Sequence, residues 1–221
     1  MAMMSIALTQ DVLPGDIRPT SVFGTYGVFT SIMNNCVRLG LINNWQNEEK
    51  KGFFVMLAAH DGPDTGKDGP THQGLYWMSA YQAYPGIKVF KPFDANETIE
   101  MLFYALKKGE PIALSLTRPK VPVLERDKVS KDAKEAVFGA YVYKNFKNIK
   151  KNKKIVIAIS GAMVLQNLLK IINRLEESGL DIKIINVTSP ELFLEYQKNE
   201  PKKANKIFNK KDKERTITAH N

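Results

Sequence analysis

His60-Asp61-Gly62-Pro63-Asp64-Thr65-Gly66-Lys67-Asp68-Gly69-Pro70-Thr71-His72-Gln73 is the stretch from which the rest of the chain is read. Its two histidines, three aspartates and five Gly or Pro residues stand between an apolar run, Phe53 to Ala59, and an aromatic one, Leu75 to Tyr84. Such a pattern predicts a buried strand ending in a long polar loop, followed by a helix. Polar loops at strand ends are where α/β proteins place their chemistry. By residue type alone the loop is open to bland readings. It can be a merely solvated turn, or His60, Asp61, Asp64, Asp68 and His72 can form a metal cluster. Against metal, these residues share no helical or hairpin period and no cysteine joins them.

Working outward toward the N-terminus, Gly24-Thr25-Tyr26 is expected to open a helix running to about Leu41, with Phe29, Ile32, Val37 and Leu41 on its apolar face. Asp11 to Pro19 reads as a loop. Ala2 to Gln10 is helix-forming but has no N-cap before it, so sequence is expected upstream. Toward the C-terminus, Pro85-Gly86 turns the chain into a short strand, Ile87 to Phe90. Asp94-Ala95-Asn96-Glu97 then reads as an N-cap with a capping-box glutamate for a helix over Thr98 to Lys108. Gly109 and Pro111 end it, and Ile112 to Thr117 is a further strand leading to Arg118. This alternation predicts an α/β fold, a mainly parallel sheet with helices on both faces, over residues 1–118. Periodicity fades and charge rises over 119–153, read as a linker. Residues 154–221 are read as a second, truncated α/β domain: strand Lys154 to Ile159, helix Gly161 to Ser178, strand Ile182 to Val187, a helix start at Ser189-Pro190, and a last β-like run, Thr216 to Asn221. Gly161 after a strand invites a dinucleotide reading, but the G-x-G-x-x-G pattern is missing.

At 221 residues the chain can bury one large or two small cores, and 43% apolar with 25% charged residues is ordinary for a soluble globular protein. The longest apolar runs are too short to cross a bilayer and no basic-then-apolar leader is seen, so a cytoplasmic protein with no membrane partner is expected. Cys36 is the lone cysteine and reads as a small core residue. Residues 1–120 carry 11 Lys and Arg against 11 Asp and Glu, so the whole +9 excess lies in 121–221. It gathers around Lys147 to Lys154 and Lys202 to Arg215. Little aromatic interleaving and no binding motif argue for solvated faces and against nucleic acid.

The loop resembles that of transketolase, which reads H-D-S-I-G-x-G-E-D-G-P-T-H-Q. The spacing from His60 to Asp68 and the run Asp68-Gly69-Pro70-Thr71-His72-Gln73 both match. Further echoes are Ala2-Met3, the Tyr26/Phe29 part of an aromatic pocket motif, Pro92 with Asp94-Ala95-Asn96-Glu97, Leu116-Thr117-Arg118, Gly139-Ala140-Tyr141, and Ser189-Pro190-Glu191-Leu192-Phe193. The resemblance implies a thiamine-diphosphate-binding pyrimidine domain, incomplete at its N-terminus, and the start of a C-terminal domain. Tyr26, Phe29 and Ile32 would contact the cofactor pyrimidine, Ile32 replacing the third aromatic. His60 and Arg118 would hold a sugar phosphate, Asp68 a sugar hydroxyl, and His72 would sit by the reacting carbons. The family transfers a two-carbon ketol unit from a ketose phosphate to an aldose phosphate in the pentose phosphate pathway. Its Mg2+ ligands lie in a diphosphate-binding domain that this sequence does not contain, so no metal ligand is expected here. The activating glutamate would lie just before Ala2, so the chain alone is expected to be inactive. A homodimer or a complementary N-terminal subunit is the expected partner. Related thiamine enzymes, of the dihydroxyacetone synthase or deoxyxylulose-phosphate synthase type, and a non-catalytic binding module are the alternatives. Lys67 departs from the family glutamate and changes the charge beside Asp68.

Overall fold

The computed structural model describes residues 1–10, 19–124, 126, 132–150 and 152–220. The loop expected at Asp11 to Pro19 lies outside them, except for its last residue. The chain divides into two compact units, Met1–Phe90 with Leu102–Lys120, and Lys91–Met101 with Val121–Asn221.

The first unit begins with helix α1 (Ala2–Ala7), followed by β1 (Thr20–Tyr26), α2 (Thr30–Gln46), β2 (Phe53–Asp61), α3 (Trp77–Gln82) and β3 (Lys88–Phe90). β4 (Ile112–Thr117) completes it together with helix α4 (Ala95–Lys108) from Leu102 onward, the start of that helix to Met101 belonging to the second unit. The four strands form one sheet in the order β1-β2-β4-β3, and every pairing is parallel, for example Val22 with Val55, Leu57 with Leu114 and Val89 with Ala113. A parallel sheet is covered on both faces, so its central strands are continuously apolar. Phe53 to Met56 and Ile112 to Leu114 are accordingly buried. Phe23, Val37, Leu41, Phe54, Met56, Trp77, Tyr81 and Val89 make the core.

One expectation fails here. Gly24 to Tyr26 do not open a helix but end β1, and the helix begins only at Thr30, after a 3-10 turn over Gly27–Phe29. Thr20, Val22, Phe23, Thr25 and Tyr26 are β-branched or aromatic, types that fit a pleated surface. Ser21 and Phe23 are buried between exposed neighbours, the alternation of a half-covered edge strand. The Thr30 hydroxyl donates to Gly27 O at 2.7 Å and ties the turn to the helix.

The second unit contains β5 (Ala140–Lys144), β6 (Lys153–Ser160), α5 (Ala162–Glu177), β7 (Leu180–Val187), α6 (Pro190–Asn199), α7 (Pro201–Ile207), α8 (Lys210–Glu214) and β8 (Thr216–His220). Its sheet runs β5-β7-β6-β8, with β5 antiparallel to β7 and the other pairs parallel. Tyr141, Ile159, Leu165, Leu168, Ile172, Ile182 and Ile184 fill the space under α5. Residues 119–153, expected as a linker, carry a 3-10 turn over Ala133–Phe138 and β5. The Lys202 to Arg215 run folds into most of α7 and all of α8, and its lysines and Arg215 are exposed, as expected of a solvated face. Asn209 and Asp212 cap α8 reciprocally, and Asp212 also accepts from Lys183 Nζ at 2.7 Å with both side chains 5% exposed. Asp94 caps α4 as expected, accepting from Glu97 N at 3.0 Å. The Glu97 carboxylate reaches one residue further back than a capping box requires, to Phe93 N at 2.8 Å. Among the described residues no helix is long and apolar enough to cross a membrane.

Candidate functional site

Because β1, β2 and β4 are adjacent and parallel, their C-terminal ends share one edge of the sheet. That edge receives Tyr26 from β1, His60 and Asp61 from β2, and Arg118 just beyond β4. The register of β2 against β4 shifts between Ala58 and Asp61, and His60 has φ 51°. A non-glycine residue in the left-handed region costs on the order of 1 kcal/mol or more and persists only where its surroundings fix it.

The fixing group is Asp61. Its buried carboxylate accepts from Trp77 Nε1 at 2.7 Å and from Ser115 Oγ at 2.5 Å, joining β2 to α3 and β4. Gly74 makes room for it, since a Cβ there would stand 2.2 Å from Asp61 Oδ1. Sequence reading considered Asp61 only as a metal ligand. Its partners are 16 and 54 residues away, so no local signal marked it.

After Asp61 the chain passes through 3-10 turns at Pro63–Asp68 and Pro70–His72. Four of the expected site residues come together as rings. The Tyr26 and His60 rings meet edge-on with centroids 4.4 Å apart, Phe29 meets His72 at 5.2 Å, and Tyr26 lies 6.0 Å from both Phe29 and His72. His60 Nδ1 is buried and has no hydrogen-bond partner among the described residues. Thr71 Oγ1 lies 3.0 Å from His72 Nδ1.

Asp68 and Arg118 join the same cluster as an ion pair. Arg118 Nη1 donates to Asp68 Oδ2 at 2.6 Å and to Thr65 O at 2.7 Å. The hydrogen bond from Arg118 holds the Asp68 carboxyl below its usual range against a smaller opposing effect of burial, and the charges of Arg118 and His72 and a hydrogen bond from Tyr26 add to it. The same hydrogen bond raises Arg118 above the ordinary arginine value. Ile32, the remaining expected residue, lies in the first turn of α2 and is 79% exposed. Among the described residues no group of three His, Cys, Asp or Glu side chains is placed to hold a metal ion. The edge thus offers half-buried aromatic rings, two imidazoles, and a guanidinium within reach of a carboxylate. This set suits a ligand with a flat ring at one end and an anionic, hydroxylated group at the other.

Residues 18–123 match the family model described as "Transketolase, pyrimidine binding domain". The transketolase of Aquifex aeolicus is 32% identical over 174 residues, which is 78% of this chain and 23% of that protein. Among solved structures, the transketolase of Campylobacter jejuni superposes with a TM-score of 0.66 at 25% identity, covering 90% of this chain and 28% of that one. A split-gene transketolase described as an inactive beta4 tetramer gives a TM-score of 0.59 at 18% identity over 90% of this chain and 56% of that one, a likeness of fold. The chain spans between 21% and 24% of the length of such curated relatives.

Proposed function

This chain belongs to the transketolase family, and from that premise we propose that it supplies the pyrimidine-side half of a thiamine-diphosphate-dependent site for ketol transfer between sugar phosphates. The observation that carries the reading is the convergence of Tyr26, Phe29, His60 and His72 with the Arg118–Asp68 pair on one sheet edge. The buried, unpartnered His60 Nδ1 and the half-buried rings fit a ligand that combines an aromatic heterocycle with polar groups. When bound, thiamine diphosphate supplies the carbanion-stabilising chemistry.

The roles of this chain's own residues follow from their chemistry. Tyr26 and Phe29 present apolar faces to the aminopyrimidine, with Ile32 at the rim. Arg118, a planar forked donor, and His60 bind the phosphate of the sugar. Where the phosphate takes the Nη1 donor of Arg118 from the Asp68 carboxylate, Asp68 is freed to accept from a sugar hydroxyl. His72, beside Phe29 and Tyr26, hydrogen-bonds near the reacting carbons and can pass a proton there. Mg2+ and the diphosphate are assigned to residues outside this chain, in a diphosphate-binding domain supplied by a complementary subunit, whether or not this chain also pairs with a second copy of itself. The assembly is placed in the cytoplasm.

The test is ketol transfer from a ketose phosphate to an aldose phosphate, measured with the purified chain alone and after mixing with a chain carrying the diphosphate-binding domain. No turnover is expected alone, and turnover is expected on mixing. In the reconstituted enzyme, Arg118→Ala should raise KM for phosphorylated acceptors and leave KM for an unphosphorylated aldose unchanged. Turnover by the chain alone, or equal effects on both acceptors, would sink the proposal.

A further inference from the structure

At the N-terminal ends of β6 and β8 the second unit has an open cleft of about 670 Å³, bordered by Asn148, Ile149, Lys150, Asn152, Lys153, Lys154 and Arg215. Each of its charged borders is a cation, and among the described residues no carboxylate lines it. The two ends of the cleft are fixed by backbone. Lys153 N donates to Gly179 O at 3.0 Å and Val156 N to Arg215 O at 2.9 Å, so Lys153 and Arg215 stand at the starts of neighbouring strands. Successive residues of a strand point to opposite faces, so Lys153 and Lys154 approach the cleft from the two sides of β6. Lys154 is held in place by Asn148 Oδ1 at 2.8 Å and by the Phe146 ring, 5.2 Å from its Nζ. Of the carboxylates on the neighbouring elements α5 and β7, Glu176 is engaged by lysines outside the cleft, and Asp181 is buried with Oδ1 engaged and Oδ2 without a hydrogen-bond partner among the described residues. Glu176 accepts from Lys144 and Lys147, and Asp181 accepts from Lys147 N at 2.8 Å.

Four cations around one concavity repel each other, and a compact multivalent anion relieves that repulsion. The volume lies within the range of small-molecule sites, roughly 300–1,000 Å³. The lysine ammonium groups act as point charges and Arg215 as a forked donor, a combination that suits several phosphate oxygens at once. We propose that this cleft is a binding site for a compact oligophosphate, a ligand with two or more linked phosphate groups such as inorganic polyphosphate or a nucleotide polyphosphate. It lies in the second unit, is made of residues that the ketol-transfer reading does not use, and is small enough to favour a discrete ligand over a long nucleic-acid strand.

The test is isothermal titration of the full chain with inorganic tripolyphosphate at low and at physiological salt, beside a thermal melt. One site per chain is expected, weaker at the higher salt, with a Tm rise of several degrees at saturation. The double variant Lys153→Ala with Arg215→Ala removes two exposed cations without touching a core, and should weaken binding about tenfold or more. Lys170→Ala, an exposed cation on α5, and Arg118→Ala should each change affinity by less than about twofold, within the range of an ordinary surface substitution. Loss of binding in Arg118→Ala would assign the phosphate to the sugar-phosphate site and overturn the cleft. So would an unchanged affinity in the double variant, or several weak ligands per chain. Binding of RNA that tightens with strand length and exceeds that of tripolyphosphate would replace the proposal with a nucleic-acid surface. Nucleotide triphosphates that match or exceed tripolyphosphate would support it and identify the nucleotide as the source of the phosphates.

Discussion

Asp61→Ala should be among the most damaging single substitutions in the first unit, because Asp61 ends β2 where the loop begins and its carboxylate packs against Gly74 where the loop closes. The carboxylate is 2% exposed and receives an indole N–H and a hydroxyl, one on each oxygen. Hydrogen bonds to a charged group contribute about 1.5–3 kcal/mol each, and a buried donor left without a partner costs on the same order. The Ser115 hydroxyl can rotate and recover part of its loss, whereas the Trp77 indole can only donate. Together these give a loss of about 3–5 kcal/mol, a large fraction of the roughly 5–15 kcal/mol that holds a typical domain folded. Asp61→Asn keeps the shape and one carbonyl oxygen. With that oxygen toward Trp77 and the amide N–H2 toward a rotated Ser115 hydroxyl, about 1–2 kcal/mol is lost. Urea unfolding followed by tryptophan fluorescence reads this directly, because both tryptophans, Trp45 and Trp77, belong to the first unit. A cycle with Trp77→Phe should show a coupling energy of about 1–2 kcal/mol. A cost below about 1 kcal/mol for Asp61→Ala, or an Asn variant as unstable as the Ala variant, would refute the assignment of Asp61 as the anchor of the β2 end.

Other outcomes can be checked by melts of the same chain. Arg126 Nη2 donates to Asp94 at 2.9 Å and Glu97 at 3.1 Å, both carboxylates being buried; Arg126→Met should cost about 3–5 kcal/mol, partly restored by adding Glu97→Gln, and a loss under about 1 kcal/mol would show that the pair is not needed. Burial disfavours the charge on Glu176, but hydrogen bonds from Lys144 and Lys147 outweigh it and hold the carboxyl below its usual range. The unfolded chain therefore binds the proton first, so Glu176 stabilises above the ordinary glutamate range and loses that effect as pH falls through its folded value. Glu176→Gln should cost about 1 kcal/mol at pH 7, with the gap to the parent closing in acid; a constant gap would contradict it. At Gly139, φ is 80° and a Cβ would meet Phe193 N at 2.2 Å and Ser189 O at 2.4 Å. Backbone cannot swing aside, so Gly139→Ala should lose about 2–4 kcal/mol, and a melt unchanged from the parent would mean the contact relaxes.

What the sequence disclosed and what it hid follow from the range of the interactions. The apolar run Phe53 to Ala59, the Gly/Pro-rich loop and the Ser189-Pro190 helix start are local patterns, and each became the expected element. β1 was hidden because an edge strand buries only alternate residues, and glycine in the middle of it resembles a helix opening. Helices α7 and α8 were hidden because lysine-rich composition signals exposure, while the buried Lys183–Asp212 pair that secures α8 joins residues 29 apart. The candidate site divides the same way. The resemblance of the loop and of Leu116-Thr117-Arg118 to transketolase marked His60, Asp68, His72 and Arg118, which residue types alone left open to a solvated turn or a metal cluster. The Arg118–Asp68 pair spans 50 residues and the Asp61 network up to 54, separations to which no periodicity reaches.

The same difference in range separates two kinds of residue within the site. Tyr26 is held in register opposite Ala59, whereas His60 lies in the irregularity between Ala58 and Asp61 and is held by Asp61, which locks the strand end on its far side. Asp68 and His72 sit on short 3-10 turns, where few apolar side chains are buried. Their positions therefore depend on side-chain partners, Arg118 for Asp68 and the Phe29 and Tyr26 rings for His72. A phosphate that takes Arg118 from Asp68 thereby removes one of the contacts that order the loop. The ring of His60 and that of Tyr26 stay at the strand ends, and Phe29 stays on the 3-10 turn that the Thr30 hydroxyl ties to α2. On the proposed function, binding at one end of such a site would adjust the loop's carboxylate and imidazole to the ligand's length, while the surface that would receive a flat heterocycle remains preorganised.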